Sequence, residues 1–486
     1  MSSVAVSFFI YTLCVLGFGI YTARFVRHSS ADFFLAGRGL GPWLAGLSTT
    51  ASAESGWVTL GLVGTAFHLG VGALWIVPGT LAAFLFNWFV IATRLRRRSA
   101  EGGLITLADV LADGAEPSAA RLIRWLSILI MVVMLCAYVA AQLTAAAKAF
   151  ESTFQWSYVT GVALGAGMVV VYTTLGGFRA VAWTDVLQAI LMVCAVTILP
   201  IVLIGQVGGL DAVWTRLDAM DPDGDLTDPF GGAAGLALIG FFGLWLGIPL
   251  GNMGQPHILV RFMATRDETA LRRGAIISTG WMLLLFVGAV LLGVAARAYY
   301  GELADPEKAL PTAAVDLLPG WLAGMMIAAV LAAVCSTADS QLLVCASSIS
   351  HDYWHRIRGR LQDERSVLLT HRLTVLAIGV FAAVIALTES RLVFRFVLYA
   401  WAGLGASFGP ALILGLLWKR TTGWGLAAGM ATGFLTVVLW VEIPALDALV
   451  YELVPAFAAA MLSIVVVSLW TAPPPGKADA SVLRRN

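Results

Sequence analysis

Long apolar runs recur along almost the whole chain, and that feature constrains the fold more than any other. A hydrocarbon core about 30 Å thick is crossed by roughly 20 apolar residues in a helix. Runs of that kind lie near residues 3–24, 40–67, 71–93, 122–147, 157–174, 183–206, 232–254, 273–300, 313–350, 368–388, 392–418, 422–441 and 449–471, about thirteen in all. Of the 486 residues, 59% are hydrophobic and 12% charged, whereas a soluble domain carries about 25% charged residues. The expected fold class is therefore an all-α membrane protein of about 13 transmembrane helices, one unit embedded in a lipid bilayer. Residues 3–23 lack a charged n-region and a small-residue cleavage site, and read as a retained span.

The same composition excludes several functions. A formal charge of +1 offers no basic face for nucleic acid. Cys14, Cys136, Cys194, Cys335 and Cys345 lie in apolar runs and form no CxxC or Cys/His cluster, so neither disulfide nor zinc is expected. No HExxH is present, and neither an enzyme nor a cofactor is expected.

Basic residues orient the spans. Connections on one side hold Arg24, Arg27 and Arg38; Arg94, Arg96, Arg97, Arg98, Arg121 and Arg124; Arg179; Arg261, Arg266, Arg272 and Arg273; Arg356, Arg358, Arg360, Arg365 and Arg372; and Lys419 and Arg420. With Lys477, Arg484 and Arg485 in the tail, that side collects about 24 of the 30 Lys and Arg. The N-terminus is thus expected outside and the tail in the cytoplasm of a cell with this chain in its inner membrane. The acidic connection from Asp211 to Asp228 falls outside.

In lipid an irregular segment is tolerated only where it borders a cavity or an ion site. Two spans carry such segments. The second contains Ser48-Thr49-Thr50-Ala51-Ser52-Ala53-Glu54-Ser55-Gly56-Trp57, and the seventh Gly243, Gly247, Pro249, Gly251, Asn252, Gly254 and Pro256. They lie five spans apart, the spacing of two five-helix inverted repeats that each begin with a broken helix and hold solute and ion between the breaks. Taken singly, either cluster of small residues would also suit close helix packing.

The ninth span adds Cys335-Ser336-Thr337-Ala338-Asp339-Ser340-Gln341. Hydroxyls and free carbonyls are hard oxygen donors, suited to sodium, although a Ser/Thr pair can also bond back to its own helix. Asp339, Glu54 and Asp185 are ionisable groups inside apolar runs, where such groups usually face an ion or proton pathway.

These residues resemble the sodium/solute symporter family, nearest its bacterial proline carriers. The likeness runs from about Asp32 to Ala472 and includes Phe34-Leu35-Ala36-Gly37-Arg38, Ser55-Gly56-Trp57, Ala182-Trp183-Thr184-Asp185, Gly254-Gln255-Pro256-His257, Ser336-Thr337 and Tyr399-Ala400-Trp401-Ala402-Gly403. It implies a leucine-transporter-type fold: an N-terminal extra helix and loop over 1–38, a core over 39–418 made of inverted repeats near 39–206 and 232–418, and two further helices and a tail over 419–486. It also implies sodium-coupled symport of a small amino acid, L-proline first, by alternating access, with sodium as the one metal.

The implied sodium ligands are the carbonyls of Ala51, Glu54 and Ala333 with the hydroxyls of Ser336 and Thr337. Asp185, Asp339 and Ser340 form an expected second cation site or relay, with a structural polar pair as the alternative. The implied solute pocket takes in Ser55, Gly56, Trp57, Tyr138, Gln142, Ile248, Asn252 and Gln255. This chain departs from the proline carriers at Ala53, where they place an aspartate, at Gln142, where they place a glycine, and at Ile248 and Asn252, where they place aromatic rings. Another small zwitterion, or a proton-coupled amino-acid carrier using Glu54 or Asp339, is the alternative reading.

Overall fold

A computed structural model describes residues 3–23, 30–359, 364–388 and 392–472. Of the charges used for orientation, Arg24, Arg27, Arg360, Lys477, Arg484 and Arg485 lie outside the described residues, as does the side chain of Arg365. The described chain is helical, with one isolated parallel bridge between Leu40 and Thr265. The helices used below are α1 (Ser3–Ala23), α2 (Pro42–Ala53), α3 (Val63–Leu69), α4 (Ile76–Phe86), α5 (Thr93–Glu101), α6 (Leu107–Ala112), α7 (Pro117–Phe154), α8 (Tyr158–Val207), α9 (Ala237–Trp245), α10 (Pro256–Ala264), α11 (Glu268–Tyr300), α12 (Gly320–Ser347), α13 (Glu364–Thr388), α14 (Val393–Leu417), α15 (Gly423–Val441), α16 (Pro444–Asp447) and α17 (Leu453–Trp470).

Among the described residues, ten helical stretches are long and apolar enough to cross a membrane, and Ser3–Val15 and Tyr158–Val171 are shorter apolar ones. This is a multi-pass membrane protein. The expected second and third spans run into one helical stretch, Trp57–Glu101, that turns at Gly70. Gly70 has φ 62°, and a Cβ there would collide with the backbone of Leu226, so only glycine makes this turn. The expected fifth and sixth spans likewise share α8, which departs from helical geometry at Gly177.

Capping residues set where spans begin. Thr106, Ser157, Asp267 and Thr422 each accept a backbone N–H from the first turn of α6, α8, α11 and α15, satisfying donors that a helix start leaves free. At the centre, α2 packs on α8, α11 and α12, and α7 on α12 and α14. Helix α1 lies against α8 and α12, while α15 and α17 pair with each other and with α14. This places both irregular segments in the interior.

Candidate functional site

Helix α2 ends at Ala53 because Glu54 leaves helical geometry (φ −97°, ψ 83°); the chain resumes as a π-turn over Trp57–Leu62. A break releases carbonyls that must find partners away from water. Helix α12 supplies them. Ser336 Oγ donates to Ala51 O at 2.8 Å and to Ala333 O at 3.1 Å, and Thr337 Oγ1 donates to Ser52 O at 3.3 Å. Ala51, Ala333, Ser336 and Thr337 are all fully buried. Three of the five expected sodium ligands, Ala51, Ala333 and Ser336, thus bond one another across two helices, Thr337 bonds the neighbouring Ser52, and Glu54 stands at the break itself. On the far side, Gly56 N donates to Gln142 Oε1 at 3.0 Å, and Trp57 N donates to Ser55 Oγ at 3.1 Å.

The second break follows α9, where Ile248–Gly254 forms a 3-10 turn before α10. Its carbonyls take nitrogen donors: Trp401 Nε1 to Ile248 O at 2.7 Å, Gln255 Nε2 to Gly251 O at 3.1 Å, and Asn87 Nδ2 to Asn252 O at 3.1 Å and Oδ1 at 2.8 Å. A Cβ on Gly251 would sit 2.0 Å from Trp401 Nε1, so the indole reaches this backbone only past glycine.

Between the breaks lies a small cavity of about 30 Å³. Trp57, Tyr138, Ile248 and Asn252 are on its wall, as expected for the solute pocket, and Glu54 joins them. Ser55, Gly56, Gln142 and Gln255 are not on the wall. Ser55, Gln142 and Gln255 each bond the backbone of a break. Trp401, Phe286, Phe84 and Leu398 are also on the wall. Trp401 belongs to the quoted 399–403 motif, whereas a single phenylalanine in an apolar run carries no signal. The Trp57 ring stacks on Phe394 at 5.6 Å and 27°, and its buried Nε1 has no partner among the described residues.

The expected second cation site already contains a cation. Arg261 of α10, counted with the loop arginines in the sequence, is fully buried and pairs with Asp185 at 2.7 Å. Its Nε donates to Ser48 Oγ at 2.8 Å and Ser48 O at 3.0 Å, Nη1 donates to His257 O, and Nη2 donates to Ser340 Oγ at 2.7 Å. Ser48 Oγ donates to Asp185 Oδ2 at 2.6 Å, and Ser340 Oγ lies 3.0 Å from Asp339 Oδ1. Asp185 and Asp339 are therefore linked through Arg261 and Ser340. A guanidinium is tolerated here because a carboxylate and several hydrogen bonds satisfy its donors together. Ser52 Oγ donates to Ser336 O at 3.0 Å and lies 3.1 Å from Ser340 Oγ, which joins this network to the first break.

Polar contacts tie neighbouring elements together at both ends of the molecule. At the arginine-rich end, Arg38 donates to Ser99, Leu104 and Met263, while Leu40 and Arg266 exchange backbone bonds with Ala264 and Leu40. Asp109, His351 and Asp352 have ligand atoms within 4.8 Å of one another. Asp109, however, is already ion-paired with Arg124 at 3.3 Å and Arg356 at 3.0 Å. Burial works to raise the Asp109 carboxyl, but the His351 hydrogen bond and the arginine charges hold it well below the usual carboxylate range. At the opposite end Lys148 pairs with Glu307 at 2.5 Å and Asp305 at 2.9 Å. Glu307 in turn accepts the N–H of Val393 at 3.1 Å and of Phe394 at 2.9 Å, fixing the start of α14 over the Trp57 stack.

A profile described as the sodium:solute symporter family matches residues 33–433. The chain is 38% identical over 447 residues to the high-affinity proline transporter PutP of Bacillus subtilis (strain 168), covering 91% of this chain and 93% of that one. It is 35% identical over 488 aligned positions to the sodium/proline symporter of Escherichia coli (strain K12), covering 98% and 94%. Among solved structures, a sodium-coupled sialic acid symporter in a substrate-bound outward-open state superposes with a TM-score of 0.80 at 18% identity, covering 97% of this chain and 99% of that one. Mhp1 in an inward-facing conformation gives 0.55 at 13%, covering 89% and 91%. These two likenesses show the leucine-transporter-type fold.

Proposed function

The chain belongs to the sodium:solute symporter family, and from that premise we propose that it couples uptake of a small amino acid, L-proline first, to an inward sodium gradient by alternating access. The observation that carries the reading is the Ser336 hydroxyl held between Ala51 O and Ala333 O, with the Thr337 hydroxyl beside it on Ser52 O, at the end of α2. These are hard oxygen donors, and a hydroxyl that now donates can instead turn its lone pairs to a cation. Sodium held there, with the Glu54 carbonyl, fixes α2 against α12 and shapes the cavity beside Trp57 and Tyr138. Coupling is reciprocal, since both ligands favour the same state.

Arg261 already supplies Asp185 and Ser340 with a cation, so we read this network as a fixed relay beside a single coupling sodium. One sodium with a neutral zwitterion moves one charge, for which 100 mV contributes about 2.3 kcal/mol. In this reading the N-terminus is outside the inner membrane and the arginine-rich end is cytoplasmic. Residues 39–206 and 232–418 are the inverted repeats, flanked by 1–38 and 419–486.

Uptake of labelled L-proline into proteoliposomes, with and without an inward sodium gradient, tests the proposal. Equal accumulation without sodium overturns it. A proton-coupled reading draws on Glu54, which is buried on the cavity wall. A pH gradient that drives uptake without sodium, lost in Glu54→Gln and kept in Ser336→Ala, would select that reading.

A further inference from the structure

The central cavity is bordered by a carboxylate that the protein does not pair. Glu54 is 2% exposed, and its side chain has no hydrogen bond or ion pair among the described residues. Asp109, Asp185 and Glu307, buried as well, have Arg124, Arg261 and Lys148 beside them. The cavity wall includes no Lys, Arg or His among the described residues. Glu54 comes to this wall because it is the first residue past α2 and has left helical geometry. The carboxylate that the proline carriers place at Ala53 is here moved one residue on, to the break itself.

Aromatic rings share the wall with this group. Trp57 lies 6.0 Å from Phe286 and Tyr138 lies 6.4 Å from Trp401, centroid to centroid, and all four border the cavity with Glu54. Aromatic faces attract ammonium groups, alkylated ones above all. An ionised carboxylate away from water is costly until a cation pairs with it. Both features therefore select one ligand group, a positively charged nitrogen on a small apolar body. A cavity of about 30 Å³ exceeds the roughly 10–15 Å³ that one water needs and has room for such a nitrogen. The body of a solute needs the two breaks to move apart, as alternating access requires.

Resting on the carrier reading above, we propose that the Glu54 side chain accepts the charged nitrogen of the solute, so that the carrier takes small cyclic or alkylated ammonium compounds and selects them by that nitrogen, with or without a carboxylate. A charge-assisted hydrogen bond from an ammonium N–H to a carboxylate is about twice as strong as a neutral one. A solute carboxylate has no cationic side chain to meet on this wall; the donor there without a partner among the described residues is Trp57 Nε1. Glu54 thus stands between the two ligands, its carbonyl toward sodium at the end of α2 and its side chain toward the solute.

The test is equilibrium dialysis of the purified full-length protein in sodium with labelled pyrrolidine, a cation at neutral pH that has the ring of L-proline and no carboxylate. The parent should bind it and L-proline should displace it. Cyclopentanecarboxylate, a ring of the same size with a carboxylate and no nitrogen, should not. Glu54→Gln should weaken binding of both pyrrolidine and L-proline about tenfold or more, while sodium half-saturation for L-proline uptake stays in place because the substitution keeps the backbone carbonyl. Glu54→Asp keeps the charge and should bind pyrrolidine more tightly than Glu54→Gln does, which separates loss of charge from loss of fold. Failure of pyrrolidine to bind the parent, equal binding by Glu54→Gln, or the reverse order of the two variants overturns the proposal. Absence of sodium-driven uptake in the parent counts against the carrier reading alone, and the pyrrolidine result still decides the role of Glu54 because it needs no transport.

Discussion

The two broken helices look alike as chains of small residues, but the structure closes them with different chemistry. At the first break the partners are hydroxyls, Ser336 and Thr337 from α12. At the second they are nitrogen donors, Trp401, Gln255 and Asn87. A hydroxyl is donor and acceptor at once, whereas an indole N–H or an amide NH₂ only donates. The first break can therefore exchange its protein contacts for a cation, and the second remains a wall that shapes the cavity. A discontinuous helix marks where a ligand is held; the atoms that satisfy the break decide which ligand. Arg261 joins the two, because it sits on the helix after the second break and bonds Ser48 on the helix before the first.

The largest effect expected follows from that link. Arg261→Gln leaves Asp185 buried beside Ser48 without its cation, a loss of about 3–5 kcal/mol for a broken buried pair. Thermal unfolding of the purified protein should show it, and Asp185→Asn in the same chain should restore most of the stability. A single variant as stable as the parent would break the claim that Arg261 ties the two breaks together. Next in size is Ser336→Ala. A ligand or hydrogen bond to a charged group contributes about 1.5–3 kcal/mol, so sodium half-saturation for uptake should rise about tenfold or more. Solute KM at saturating sodium should move little. Asn252→Ala is expected to do the reverse, raising solute KM severalfold while sodium half-saturation stays in place.

Much of this contrast was legible in the sequence. The apolar runs announced a helical membrane bundle, and a block of small hydroxyl residues in one span and a Gly and Pro cluster five spans on located both breaks, because the two recur at matching positions. The hydroxyl-closed first break was legible because Ser336 and Thr337 are adjacent and the 48–57 block is local. Arg261 was not. Counting basic residues near span ends assigns each one to a loop, and burial of Arg261 depends on an aspartate 76 residues away. The bond that Gln142 makes was not legible for a related reason. An amide inside an apolar run looks like a solute ligand, but here it is the acceptor that Gly56 N–H needs. Phe84 and Phe286 left no trace, since lone aromatics in apolar runs read as packing. The merging of spans at Gly70 and Gly177 likewise depends on backbone turns that composition alone does not describe.

The smallest effect is also the sharpest comparison. Trp401→Phe keeps an aromatic ring on the cavity wall and removes only the indole N–H that Ile248 O accepts at 2.7 Å. The net contribution of one such bond is about 0.5–1.5 kcal/mol, so a two- to tenfold rise in solute KM is expected, about the span those energies convert to. The freed Ile248 carbonyl stays at the second break, more than a side chain's exchange away from the hydroxyls on α12, and sodium half-saturation should not follow. Measured beside Ser336→Ala in the same vesicles, the two variants should separate the ligands cleanly: one shifts sodium, the other solute. A sodium shift in Trp401→Phe as large as in Ser336→Ala would mean that the second break also holds the ion, and the division of labour between hydroxyl-closed and nitrogen-closed backbone would be lost.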